Sequence, residues 1–201
     1  MSSDRFAKIL SFLETVDSFK TVYRAAYLCN HSRHESDAEH TWHTSLFALL
    51  LHQELSCNVD IAHVLKLILI HDLVEIYAED TFLHDVAGYH DKSVRVAAAN
   101  KLFAILPDDL QTLVHGWWQE FEAQETTEAQ FAQAMDRLQG FAQNLFGGGR
   151  VWQERQVTEA MSRKRNQEAI AFDPAIADVF QILYQKATQE QLWTKTINSN
   201  L

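Results

Sequence analysis

The stretch from Ile70 to Asp80 combines residue types that do chemistry, because five histidine or acidic side chains directly follow an apolar run. These side chains are His71, Asp72, Glu75, Glu79 and Asp80. Burying such groups is unfavourable unless they are paired or bind a metal. On a helix, His71 and Glu75 are four residues apart and share one face. A histidine beside a carboxylate can begin a metal site, but adjacent helical residues diverge by about 100°, so further ligands must come from elsewhere in the chain.

Two other stretches offer such ligands. Residues 33–40 read Arg-His-Glu-Ser-Asp-Ala-Glu-His and end at His40, while Asp136 stands among apolar and small residues. In this order, His40, His71-Asp72 and Asp136 resemble the H…HD…D ligand set of the HD superfamily of metal-dependent phosphohydrolases. The resemblance is closest to the compact, all-helical branch that contains the bacterial 5′-deoxynucleotidases.

The resemblance implies one divalent metal ion, held by His40, His71, Asp72 and Asp136. Two imidazoles and two carboxylates suit Mn²⁺, Co²⁺, Fe²⁺ or Zn²⁺, and Mg²⁺ is a further candidate. His43 is the rival to His40 as a ligand. His40 is preferred because it follows the Glu-Ser-x-x-Glu sequence that is characteristic of the family.

Further residues receive roles from the resemblance. Arg24 on composition alone is a surface arginine, but in the deoxynucleotidase branch an arginine at this place contacts substrate phosphate, which suits a bidentate guanidinium. Glu75 would orient the attacking water or exchange protons with it or with the leaving oxygen. Asp80 would contact the sugar or assist proton transfer, although Glu79 stands where relatives carry glycine. Relatives often place a tryptophan after the arginine to crowd the 2′ position, and here the nearest aromatic residue is Tyr27.

The resemblance implies a metal-dependent phosphomonoester hydrolase that acts on small nucleotides, most specifically a 5′-deoxynucleoside monophosphate phosphatase. The alternative is a catalytically silent HD domain that binds nucleotide as a sensor or interaction module. Other HD activities fit less well. Guanosine tetraphosphate hydrolases carry HDxxED, where this chain has Ile76, and the cyclic dinucleotide phosphodiesterases need a Gly-Tyr-Pro signature that this sequence lacks.

The composition limits the partners. The chain has 201 residues, a net charge of −10 and a pI of about 5.4. Nucleic acids and anionic membranes need a basic face, so the expected partner is a small nucleotide. Cys29 and Cys57 form no CxxC pair and no disulfide framework, and the N-terminus lacks a signal-peptide pattern, which together favour the cytoplasm. A homodimer is a further expectation from the family.

Helix signals dominate the sequence, because six glycines and two prolines leave few breaks and no stretch alternates with a period of two. We predict an all-α fold of about seven or eight helices, forming one HD domain over residues 1–201. Its motif-bearing core is expected at about residues 19–144, and C-terminal helices at 150–192 are expected to complete the core or a dimer contact.

Local signals predict where several helices begin and where the chain bends. Helix caps are expected at Ser36, Asp60, Thr127 and Asp173. Gly147–Gly149 is predicted to be a flexible link. The pairs His84-Asp85 and His90-Asp91 lack an apolar lead-in, so they are predicted to be loop residues at the rim of the pocket.

Overall fold

The computed structural model describes residues 2–78 and 92–194, and most of these residues are helical. In chain order the helices are α1 (Ser2–Asp17), α2 (Asp37–Leu51), α3 (Ile61–Ile70), α4 (Glu75–Ala78), α5 (Lys92–Phe103), α6 (Asp108–Ala123), α7 (Thr127–Phe146), α8 (Arg150–Glu154), α9 (Glu159–Arg165), α10 (Gln167–Ala171) and α11 (Pro174–Gln189). The predicted all-α class is confirmed. Short segments such as α4, α8 and α10 raise the number of helices above the predicted seven or eight. Within the described ranges, no helix is both long and apolar enough to cross a membrane.

A small antiparallel hairpin lies between α1 and α2, although we predicted no strand. Its strands are β1 (Tyr23–Tyr27) and β2 (His34–Ser36). Strands of three to five residues are too short to show a clear period-two pattern in the sequence. Tyr23 pairs with Ser36 and Tyr27 pairs with His34, so β1 carries extra residues that are accommodated as a bulge or irregularity. The hairpin places the Arg24 side chain beside the start of α2.

Side-chain caps fix the starts of the helices that carry candidate ligands. Ser36 forms the predicted capping box with Glu39, in which each side chain accepts a hydrogen bond from the backbone N–H of the other residue. Asp60 caps α3 as predicted. The cap of α7 is Thr126 rather than Thr127, a shift of one residue. These caps satisfy N–H groups that would otherwise lack partners, so each helix has a defined first turn.

Helices α2, α3 and α7 form the centre of the fold. Val64, Leu67 and Ile68 of α3 are fully buried, and they share one apolar cluster with Met135 and Leu138 of α7. Such a core disfavours charged side chains that have no partner. The ionisable groups that these helices carry into the interior are therefore candidates for a functional role.

The chain bends directly after α3, where we predicted one continuous helical face for His71 and Glu75. Residues 71–74 form turns, and Glu75 begins the one-turn helix α4. The Glu75 N–H donates to the Asp72 carbonyl at 2.9 Å, a three-residue step that is tighter than the α-helical step. His71 and Glu75 therefore do not share the one helical face that we predicted, although both side chains are buried.

The C-terminal helices pack against α7. Asp173 caps α11 and Pro174 occupies its first turn, as predicted. The ring of Phe141 in α7 lies 4.5 Å from the ring of Tyr184 and 5.0 Å from the ring of Trp152, measured between centroids. These aromatic contacts extend the same apolar cluster that contains α3.

The glycine run at residues 147–149 is a hydrogen-bonded turn between α7 and α8, not the flexible link that we predicted. Gly148 and Gly149 both have φ of +66°, and their N–H groups donate to Leu145 and Asn144 carbonyls of α7. Only glycine adopts this left-handed backbone without strain. A Cβ at Gly149 would also lie 2.6 Å from the Cβ of Leu192.

We expect Gly149→Ala to lower the free energy of unfolding by about 2 kcal/mol or more, since the left-handed backbone and the overlap with Leu192 both oppose a methyl group. Gly116→Ala is the matched control, because nothing lies within 4 Å of a Cβ built there and alanine favours the helix. Equilibrium unfolding in urea measures both variants. Parent-like stability of Gly149→Ala would contradict this account of the turn.

Candidate metal centre

Four side chains from three parts of the fold meet in one buried cluster. Each offers one nitrogen or oxygen atom, and these atoms all lie within 4.8 Å of one another. His40 comes from α2, His71 and Asp72 from the turn after α3, and Asp136 from α7. The two histidines are at most 1% exposed, whereas the carboxylates retain access to solvent. The structure thus brings together the four residues that the sequence predicted as ligands.

The imidazole Nε2 atoms lie close to the carboxylates. His40 Nε2 lies 3.0 Å from Asp136 Oδ1, and His71 Nε2 lies 3.0 Å from Asp72 Oδ2. The crossed distances, from His40 to Asp72 and from His71 to Asp136, are both 3.9 Å. Two nitrogens and two oxygens therefore converge on one small volume.

The other ring nitrogens are occupied by hydrogen bonds. His71 Nδ1 lies 2.7 Å from the Ile68 carbonyl, and His40 Nδ1 lies 2.5 Å from Gln139 Oε1. Both Nε2 atoms are buried, and within residues 2–78 and 92–194 neither makes a hydrogen bond of good geometry. A histidine that uses Nδ1 in this way and keeps Nε2 for a cation is the usual arrangement of a metal ligand. The residues fit a divalent metal ion.

The charges of the cluster shift the affinity of its members for protons. Burial alone would lower the pKa of His71, but the negative charges of Asp72 and Asp136 raise it to about 9. Burial opposes ionisation of the two carboxyls, yet the adjacent histidines hold the pKa of both Asp72 and Asp136 below its usual range. A cation that binds here takes the place of the imidazolium proton.

Arg24 lies at the edge of this cluster. Its Nη1 atom is 3.2 Å from Asp72 Oδ2 and 3.2 Å from Asp37 Oδ1, and its Nε is 3.9 Å from Glu35 Oε2. Glu35 and Asp37 are almost fully buried. We did not predict a role for either acid, although Glu35 belongs to the Glu-Ser-x-x-Glu sequence that pointed to His40. The arginine predicted to bind phosphate therefore contacts a candidate metal ligand directly.

Glu75 forms an ion pair with a second arginine, for which we predicted no role. The guanidinium of Arg95 in α5 forms an ion pair with Glu75 Oε1, lies 3.0 Å from Glu122 Oε1 and lies 3.8 Å from Asp72 Oδ1. Burial alone would lower the pKa of Arg95. The negative charges of Asp72, Glu75 and Glu122 outweigh this effect and raise that pKa above its usual value. No pattern around Arg95 marked it as functional, since its neighbours in α5 are mostly small or exposed.

Tyr27 and His43 do not belong to the four-residue cluster. The Tyr27 ring stacks on His34 with centroids 4.1 Å apart and lies 4.1 Å from the Arg150 guanidinium. His43 packs on Trp42, and burial lowers the pKa of its imidazole. The four-residue cluster contains His40 and not this rival. Asp80, Glu79 and the pairs His84-Asp85 and His90-Asp91 lie outside the described residues.

We expect Mn²⁺ or Co²⁺ to raise the melting temperature of metal-free protein, because an ion that binds only the folded chain stabilises it. At a hundredfold excess over the dissociation constant the gain is about 2.7 kcal/mol, or roughly 5–10 °C for a chain of this size. Differential scanning fluorimetry after chelator treatment measures the shift. His52→Ala, outside the cluster, should respond like the parent, and the absence of a shift with every divalent ion would contradict the site.

Comparisons with known proteins identify the family of this chain. The HD domain family matches residues 16–176. The 5′-deoxynucleotidase HDDC2 of Xenopus laevis is 30% identical over 139 residues, which cover 68% of this chain and 68% of that protein. The HDDC2 protein of Bos taurus is 30% identical over 141 residues, covering 69% of this chain and 67% of that protein.

A solved structure extends the likeness to nearly the whole chain. It is the crystal structure of a predicted metal-dependent phosphohydrolase from Magnetospirillum magnetotacticum MS-1, with a TM-score of 0.90 and 36% sequence identity. The match covers 97% of this chain and 98% of that chain. The family match, these relatives and the buried His-Asp cluster lead to one conclusion: the chain belongs to the HD-domain family of phosphohydrolases.

Proposed function

We propose that this protein is a metal-dependent phosphatase of 5′-deoxynucleoside monophosphates, which it hydrolyses to deoxynucleoside and phosphate. The observation that carries the proposal is the contact between Arg24 and Asp72 at 3.2 Å, which sets a guanidinium beside the candidate metal ligands. A phosphate group is the substrate part that such a combination of cation and metal site recognises. The identity of the HDDC2 relatives as 5′-deoxynucleotidases supports the deoxynucleotide as the substrate.

His40, His71, Asp72 and Asp136 would hold the metal. Mn²⁺, Co²⁺, Fe²⁺, Zn²⁺ and Mg²⁺ are the candidates, and the mixed nitrogen and oxygen donors favour the transition metals over Mg²⁺. A metal held by these residues would polarise the phosphoryl group and lower the pKa of bound water. The side chains around it then determine where the substrate lies and where protons go.

Arg24 would hold the phosphate oxygens in the proposed reaction. Its guanidinium carries several donors in one plane, so it can bind a phosphate oxygen while it keeps a contact with a neighbouring acid. The buried carboxylates of Glu35 and Asp37 restrict the rotation of this side chain. A preorganised cation loses less entropy when the substrate binds.

Glu75 would accept the proton of the attacking water. Its ion pair with Arg95 favours the carboxylate form, which accepts a proton, over the acid form, which donates one. The proton would then pass to the 5′ oxygen as the bond from phosphorus to this leaving oxygen breaks. Asp80 stays a predicted contact of the sugar or a partner in this transfer.

Release of inorganic phosphate from a panel of nucleoside monophosphates tests the proposal. We expect 5′-deoxynucleotides to be cleaved and the corresponding ribonucleotides to react more slowly, by about tenfold, the lower end of what one pocket group contributes to discrimination. Tyr27→Ala should reduce this ratio if the ring crowds the 2′ position, whereas an unchanged ratio would exclude Tyr27. Metal binding without hydrolysis of any member of the panel would overturn the phosphatase and favour the nucleotide sensor. The homodimer and the cytoplasmic location stay predictions.

A further inference from the structure

Gln139 links a candidate metal ligand to a buried acid. It lies on α7, three residues after Asp136, and is fully buried. Its Oε1 atom is 2.5 Å from His40 Nδ1, and its Nε2 atom donates to Glu35 Oε1 at 2.8 Å. The same Nε2 is 3.3 Å from His43 Nδ1. Both ends of this amide are therefore engaged at the edge of the site.

The carboxylate of Glu35 determines which way the amide faces. A carboxylate accepts hydrogen bonds and does not donate them, so the amide nitrogen of Gln139 must face Glu35. The amide oxygen then faces His40, and because this oxygen can only accept, His40 Nδ1 must carry a proton. A neutral imidazole with a proton on Nδ1 presents its lone pair at Nε2. Nε2 is the atom that lies 3.0 Å from Asp136 Oδ1.

His71 also carries a proton on Nδ1, but through a different acceptor. Its Nδ1 atom lies 2.7 Å from the carbonyl of Ile68, which belongs to the backbone and accepts only. No side-chain substitution removes this acceptor. The two ligand histidines therefore differ in how they can be perturbed, and Gln139 acts on His40 alone.

We propose that Glu35 and Gln139 form a hydrogen-bond relay that fixes the tautomer of His40, which makes Gln139 a positioning residue for metal binding. This inference rests on the proposed function, since it requires that His40 binds a metal. Glu35 Oε2 also lies 3.9 Å from Arg24 Nε. One buried carboxylate thus supports the metal side of the site and the arginine proposed to bind phosphate.

The affinity of the metal-free protein for Co²⁺, measured by isothermal titration calorimetry, tests the relay without reference to activity. We expect Gln139→Leu to raise the dissociation constant about 10–100-fold, the usual effect of losing a partner that orients a ligand. Gln143→Leu is the matched control. Gln143 is one turn further along α7, is also buried and donates to the Tyr27 carbonyl, so its loss should leave the affinity for Co²⁺ unchanged.

An exchange of the two side chains separates the relay from simple packing. Gln139→Glu alone sets two buried carboxylates against each other and should weaken Co²⁺ binding or unfold the chain. Adding Glu35→Gln restores one acid and one amide in reversed order, with residue 139 still accepting from His40 Nδ1. We expect the double variant to bind Co²⁺ more tightly than Gln139→Glu, and circular dichroism shows whether each variant is folded.

Three outcomes are decisive. Weaker binding by Gln139→Leu, parent-like binding by the control and recovery in the double variant support the relay. A folded Gln139→Leu with parent affinity, or a double variant without recovery, overturns it while the metal site stands. If the parent takes up no Co²⁺, the proposed function fails together with the relay.

Discussion

Asp136→Ala should lose the ability to bind metal, and with it the proposed phosphatase activity, while it remains folded. Asp136 is one of the two carboxylates in the cluster, and its Oδ1 lies 3.0 Å from one Nε2 and 3.9 Å from the other. Removal of this ligand would forfeit the several kcal/mol by which a metal stabilises the transition state, a loss of more than about a thousandfold in kcat/KM. The side chain is 20% exposed, so its truncation leaves a solvent-accessible gap rather than a void in the core.

Metal content by plasma emission spectrometry, measured on the samples used for kinetics, checks this result. Gln133→Ala provides the control, since it removes a partly buried polar side chain from the same helix outside the cluster. A folded Asp136→Ala that keeps a full complement of metal would show that the fourth ligand was chosen wrongly.

Glu75→Gln should separate proton transfer from metal binding. The substitution preserves the shape of a side chain that is only 4% exposed, but it removes the carboxylate charge. We expect kcat to fall about 10²–10⁴-fold, the usual contribution of a positioned acid–base group, with metal content unchanged. Glutamine is preferable to alanine here, because alanine would leave a void beside the buried guanidinium of Arg95.

Glu122→Gln distinguishes this role from a loss of charge around Arg95. Glu122 contacts the same guanidinium at 3.0 Å, yet it does not belong to the proposed set of catalytic and ligand residues. If turnover by Glu75→Gln equals that of the parent, Glu75 does not handle protons, even where the metal site is correct. If Glu122→Gln loses as much turnover as Glu75→Gln, the loss comes from the changed charge around Arg95 and not from proton transfer by Glu75.

The four candidate ligands were predictable through the resemblance to the HD superfamily, which rests on residue types that a metal requires. His71 and Asp72 follow an apolar run, and His40 follows a helix cap, so each signal is local in the sequence. Their convergence with Asp136 was predictable only through the resemblance to a family. The capping box at Ser36 has a similar basis, since it involves residues three positions apart.

The missed residues act through contacts that are distant in the sequence. Gln139 and Glu35 are 104 positions apart, and Arg95 and Glu75 are 20 apart, so no local pattern relates them. The bend after Ile70 was also hidden, because His71 and Glu75 fit an α-helical spacing that the chain does not adopt. The family resemblance predicted the ligand identities, but tertiary packing determined the groups that hold them.

The candidate ligands come from helices that also form the apolar core, and this has a kinetic consequence. His40, His71 and Asp136 approach one another only when α2, α7 and the turn after α3 are docked, and we expect this docking late in folding because the contacts are far apart in sequence. A metal held by all three segments must dissociate before they can separate. The bound ion would therefore slow global unfolding, which governs resistance to irreversible heat inactivation, while fraying at the chain ends would proceed unchanged.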